Sequence, residues 1–181
     1  MLTLCICIAG LILFTIIWAV GVSNAINRIQ LKIKEAQSGI EIQLRKRNDT
    51  LTESMNIAKG YAKHEKELFT GLRSVNSGMG VREMNDCISS QSQCMRNLVA
   101  LGESYPELKS AEIFMNLQRQ LAEENAQFAA AKRAFNSNTT AHNNIVVTFP
   151  KSVICSMRGV GQLDYIKEDN IQELKNVSME W

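Results

Sequence analysis

The sequence predicts an all-α protein: an N-terminal transmembrane helix followed by an elongated antiparallel four-helix bundle. Three observations carry this. Leu2–Val22 runs 21 residues without a charge. From Ile26 onward, apolar residues recur three and four apart, the period of helices that bury one stripe against each other. Both prolines fall after residue 105, and Leu, Ile, Ala, Gln, Glu, Lys and Met dominate, which favours helix over strand. The implied organisation is an anchor at 1–23, a helical bundle at 24–150 and a loosely ordered C-terminal tail at 151–181.

The anchor reads LTLCICIAGLILFTIIWAVGV. At helical rise it covers roughly 30 Å, one hydrocarbon core, and Trp18 lies near an end where interfacial rings are common. A cleaved signal peptide competes, because Ser23-Asn24-Ala25 fits a small-x-small site. Against cleavage, no Lys or Arg precedes the span, and the apolar run exceeds a usual signal core. Arg28, Lys32 and Lys34 follow the span closely. The positive-inside rule then puts the helical domain in the cytoplasm, the N-terminus outside, and the chain in the cell membrane as a single-pass protein.

In the soluble part, Ile26, Ile29, Ile33, Ala36, Ile40 and Leu44 stripe a first helix expected to end near Arg47-Asn48-Asp49. Thr50-x-x-Glu53 then fits a capping box starting a second helix, Leu51–Ser74. Asn76–Gly80 reads as a turn, Val81–Leu101 as a third helix, and Gly102–Pro106 as its break. Leu108–Phe149 reads as the longest helix, its seam running through Phe114, Leu117, Leu121, Glu124, Phe128, Ala131, Phe135, Asn138, His142, Ile145 and Phe149. That 3.5 average is coiled-coil-like. Short connections imply antiparallel neighbours, so the last helix should return toward the bilayer. There, IVVTFPKSVICSM at 145–157 is apolar enough to lie against the membrane surface.

Net charge is +2 with scattered cations, which does not suggest a nucleic-acid binder. Cys5 and Cys7 lie in the anchor. Cys87 and Cys94 sit roughly 10 Å apart along one helix, too far to bridge each other. With Cys155 the count is odd and lacks ligand spacing, which favours reduced, structural thiols in a reducing compartment.

His64-Glu65 invites a metalloprotease reading, but a zincin needs His four positions on, and Leu68 stands there. No phosphate loop or GxSxG elbow accompanies it, so neither a catalytic group, a metal nor a cofactor is assigned. His64, Glu65, Glu124, Asn138 and His142 remain as polar residues on the seam. Burying them costs several kcal/mol unless they are paired. They either fix helix register, meeting Arg47, Lys132, Arg133 or one another, or line a pocket or proton-linked switch.

Several stretches together resemble the LemA family: Gln43–Asp49, Gly60-Tyr61-Ala62-x-His64-Glu65-Lys66-Glu67, Tyr105–Lys109 followed by Phe114, Leu117 and Leu121, then Glu124-Asn125, Lys132-Arg133-x-Phe135-Asn136 and Phe149-Pro150. The resemblance covers about residues 24–155. Ser23-Asn24, Thr52 and Phe135-Asn136 depart from the family pattern. The likeness implies an anchored antiparallel bundle of four soluble helices; it imports no reaction, the family having no generally accepted activity. The expected function is a non-enzymatic scaffold or adaptor at the membrane. It would hold the bilayer through residues 2–22 and engage a protein partner or itself, with no nucleic acid and no small-molecule substrate assigned. The alternative is a ligand-sensing domain with a polar inter-helix pocket signalling to a membrane partner, and a hydrolase is the third and weakest reading.

Overall fold

A computed structural model describes residues 1–61 and 71–167. The described chain is all-α: α1 (Leu2–Tyr61), α2 (Val81–Ser104), α3 (Pro106–Lys109), α4 (Glu112–Val147) and α5 (Lys151–Met157). It divides into two compact units. One comprises Met1–Glu35 with Phe135–Tyr165, the other Ala36–Ala134 with Ile166–Trp181.

The main departure from the sequence reading is in α1. The first and second predicted helices, through residue 61, are one helix, and the break at Arg47–Asp49 does not occur. The reason lies in the stripe. Buried residues on α1 recur at Val22, Ile26, Ile33, Ile40, Leu44, Arg47, Leu51, Met55 and Ala58, so Arg47 keeps the three-four rhythm through the polar run. Thr50 is not a cap: it is buried in mid-helix and its hydroxyl faces α4. Thr52 and Ser54 turn their hydroxyls onto the carbonyls of Asn48 and Thr50, 2.7 and 2.8 Å away, which satisfies them without leaving the helix. The stretch 62–70 of the predicted second helix lies outside the described residues, and 71–80 carries no helix.

In the second unit, residues 71–80 run back along α1. Ser77 meets Arg45, Gly78 meets Glu41, and Met79 meets Gln37. Gly78 has φ 77°, a left-handed conformation that suits glycine. Its N–H donates to Glu41 Oε1 at 3.0 Å. At the start of α2, Glu83 reaches back to accept the Gly80 N–H at 2.9 Å. Gln91 then meets Leu44 and Met95 meets Arg47, so α2 runs parallel to α1. The expected antiparallel order fails here because the chain returns before α2 begins. Tyr105 ends α2, and Pro106 opens the single turn of α3, where its missing N–H costs no hydrogen bond.

α4 runs antiparallel to α1 in this unit, with Gln120 and Glu124 beside Thr50 and Phe128 under Arg47. Leu51, Met55, Ala58, Cys94, Met95, Leu98, Leu101, Leu108, Phe114 and Leu121 form the core.

In the first unit, α4 closes near Val147, as the Phe149-Pro150 stop suggests. Residues 151–157 form α5, and the following loop is tied to α4 by both ends of one amide. Asn143 Nδ2 donates to Leu163 O (2.9 Å), and Leu163 N–H donates to Asn143 Oδ1 (2.8 Å). Residues 168–181 lie outside the described residues.

Candidate functional site

The helical frame gathers polar side chains at two places. In the second unit, Glu124 is 1% exposed and sits on the α4 stripe between Leu121 and Phe128. Its Oε1 accepts from the Thr50 hydroxyl at 2.9 Å and from Gln120 Nε2 at 3.0 Å, and Lys46 Nζ stands 4.0 Å away. Gln120 Nε2 also reaches Thr50 Oγ1 at 3.0 Å, closing a three-residue ring across α1 and α4. Glu124 Oε2 has no hydrogen-bond partner among the described residues. A carboxylate held this way is costly to bury and costlier to strip of partners, so the ring fixes the register of the two helices.

One turn below, Arg47 is wholly buried, its guanidinium 5.4 Å from the centroid of the Phe128 ring and its Nη2 3.0 Å from Met95 Sδ. Gln91, also wholly buried, donates to the carbonyl of Leu44 at 2.8 Å. Cys94 packs with Met55, its sulfur 3.1 Å from Met55 Sδ. Burial pushes the Cys94 thiol up to about 11, with the Arg47 charge pulling weakly the other way. Burial likewise raises Cys87, against the pull of Arg73. All five cysteines are free thiols.

In the first unit, His142 is 1% exposed, with Nδ1 3.3 Å from Asn143 Oδ1 and no partner for Nε2 among the described residues. Asn138 is half-buried at the edge of the stripe, its amide donating to the Lys32 carbonyl at 3.4 Å. Thr139 takes the buried position instead, and its hydroxyl also lacks a partner among the described residues. Beside them, Thr140 and Asn143 donate to Tyr165 Oη and lower its pKa by favouring the phenolate. His64 and Glu65 lie outside the described residues.

The seam residues named from sequence are thus split between two places. Glu124 belongs to the ring with Thr50; His142 and Asn138 sit in the other unit. Sequence reasoning missed Thr50, Gln91 and Thr139. Thr50 could have been found, because it falls three residues after Arg47 and continues the stripe. Among the described residues, no three His, Cys, Asp or Glu side chains converge in a way that would hold a metal ion.

These features define an all-α protein whose N-terminal helix contains one segment long and apolar enough to cross a membrane. The chain belongs to the LemA family, whose profile matches residues 36–180. It is also similar to a protein named Protein LemA from Metamycoplasma hominis, 27% identical in an alignment of 135 residues that covers 72% of this chain. The chain spans 62% of that relative's length.

Proposed function

We propose that the chain is a non-enzymatic scaffold or adaptor, tethered to the cell membrane by residues 2–22 with its helical part on the cytoplasmic side. One observation carries the tether. The large side chains from Leu2 to Phe14, and again Ile16, Ile17 and Val20, are exposed, while the same helix buries a regular stripe from Val22 onward. An apolar face left bare all round belongs in lipid. Arg28, Lys32 and Lys34, with no cation among residues 2–22, support the cytoplasmic orientation. The Glu124–Thr50–Gln120 ring supports a static role, because Glu124 Oε1 is taken up by Thr50 from α1 and Gln120 from α4.

The ligand-sensing alternative draws on the partnerless Nε2 of His142 and hydroxyl of Thr139. Carbonate extraction of native membranes, protease protection and in-membrane crosslinking test the scaffold reading. It expects retention in the pellet, digestion of the helical part only from the cytoplasmic side, and crosslinks to a defined protein or a second copy. Release into the carbonate supernatant overturns the tether, and digestion from outside overturns the orientation. A ligand that His142→Ala abolishes without loss of stability favours the sensor.

A further inference from the structure

Within the unit formed by Met1–Glu35 and Phe135–Tyr165, the end of α4 and α5 build a foot against the last turns of the apolar segment. Val22, Ile26 and Cys155 are buried together, with Trp18, Ile145, Val146, Ile154 and Val160 packed around them. Arg158 latches the foot in place, donating to the Ser23 carbonyl at 3.2 Å and to Asn27 Oδ1 at 2.8 Å.

The depth of this foot follows from helix arithmetic. A span starting at Leu2 uses up a hydrocarbon core of roughly 30 Å by about residue 21. Trp18 to Ile26 covers about 12 Å of helix axis and brackets that boundary. Whatever packs there sits at headgroup level. On the foot, Val147, Phe149, Val153 and Met157 are all exposed, Phe149 by 79% and Met157 by 81%. Between Asn143 and Leu163 the only charged residues are Lys151 and Arg158, with no carboxylate among them. Apolar side chains flanked by cations match the boundary between acyl chains and phosphates.

We infer that this foot is a second membrane contact, with Val147, Phe149, Val153 and Met157 dipping into the bilayer that α1 crosses and with Lys151 and Arg158 at the phosphates. The inference rests on α1 being the anchor proposed above. Its occupant is lipid because the patch is continuous with the span itself; a second copy of the chain would have to bind there at the same depth, displacing headgroups.

The test reconstitutes the whole chain in vesicles of phosphatidylcholine and phosphatidylglycerol containing a phospholipid with a diazirine near the top of one acyl chain. After irradiation, lipid adducts are mapped by mass spectrometry. Adducts are expected on 145–157 as well as on 2–22. A Phe149→Ser/Met157→Ser variant, altered only at exposed positions and checked for unchanged helicity, should lose most of the label on 145–157 and keep it on 2–22. Label confined to 2–22 overturns the foot and leaves the anchor standing. In a parallel sample treated with an amine-reactive bifunctional crosslinker, Lys151–Lys151 crosslinks between two chains, with lipid adducts absent from 145–157, overturn it in favour of self-association. Absence of label from 2–22 as well overturns the anchor itself.

Discussion

Replacing Thr50 with valine removes one hydroxyl and keeps the shape that fills the stripe on α1. Glu124 Oε1 then loses its 2.9 Å donor and keeps Gln120 at 3.0 Å, with Lys46 at 4.0 Å. Hydrogen bonds to a charged group contribute about 1.5–3 kcal/mol, and at 1% exposure water cannot easily replace the lost one. The added methyl returns about 0.8 kcal/mol of burial. The net loss should therefore be about 1–2 kcal/mol, or a Tm lower by about 2–8 °C for a chain of this size. Glu124→Leu removes the carboxylate with little change in volume. Combined with Thr50→Val it leaves an apolar pair, so the double variant should be more stable than the sum of the singles predicts, by about 1.5 kcal/mol. The assay is urea unfolding of the chain in mild detergent, followed by far-ultraviolet circular dichroism, comparing midpoints at constant slope. A Thr50→Val change within about 0.5 kcal/mol of zero, with additive singles, would refute the ring as a register lock.

Asp49→Pro should cost about 3 kcal/mol or more and lower helix content, because residue 49 lies inside α1; a chain that broke there would tolerate it, and circular dichroism with thermal melting decides. His142→Ala should lower stability by about 2 kcal/mol through the cavity it leaves. His142→Leu should be neutral or raise stability by about 1 kcal/mol, because Nε2 has no partner among the described residues to lose; a clear drop in Tm would show that it does. Cys94 favours its protonated form in the fold, with its pKa raised from 9.0 to about 11. That contribution is complete below pH 9 and fades as pH climbs from there toward 11, so the fold should weaken on the alkaline side. Alkylation of Cys94 by iodoacetamide should stay slow at pH 8, and a rate matching a free thiol would contradict its burial.

How much was legible depends on what punctuates the chain. Gly78 and Gly80 before α2, Pro106 after it, and Pro150 after α4 are strong stops, and those boundaries fall within a few residues of the expected ones. The false stop at Arg47–Thr50 came from reading polarity as exposure. Four polar residues in a row resemble a helix end, yet two of them, Arg47 and Thr50, lie on the buried stripe and find partners on α2 and α4. Partners that distant in sequence leave no local mark. The same limit applies to Asn138 and Thr139. Both fit a three-four count from Phe135, and only the neighbouring helix decides which one is covered. The parallel course of α2 was equally hidden, because a return path over 71–80 has no periodicity of its own.

The latch between Arg158 and Ser23 joins residues 135 positions apart. At roughly 5–20 residues per second, a ribosome needs roughly 7–27 s to make the intervening chain. On the anchor reading proposed above, the N-terminal segment therefore enters the membrane long before the residues that will cover Val22 and Ile26 exist. Those two positions wait uncovered until residues 145–160 have been made. A truncation that removes residues 145–160 would thus be felt at Val22 and Ile26, near the other end of the chain.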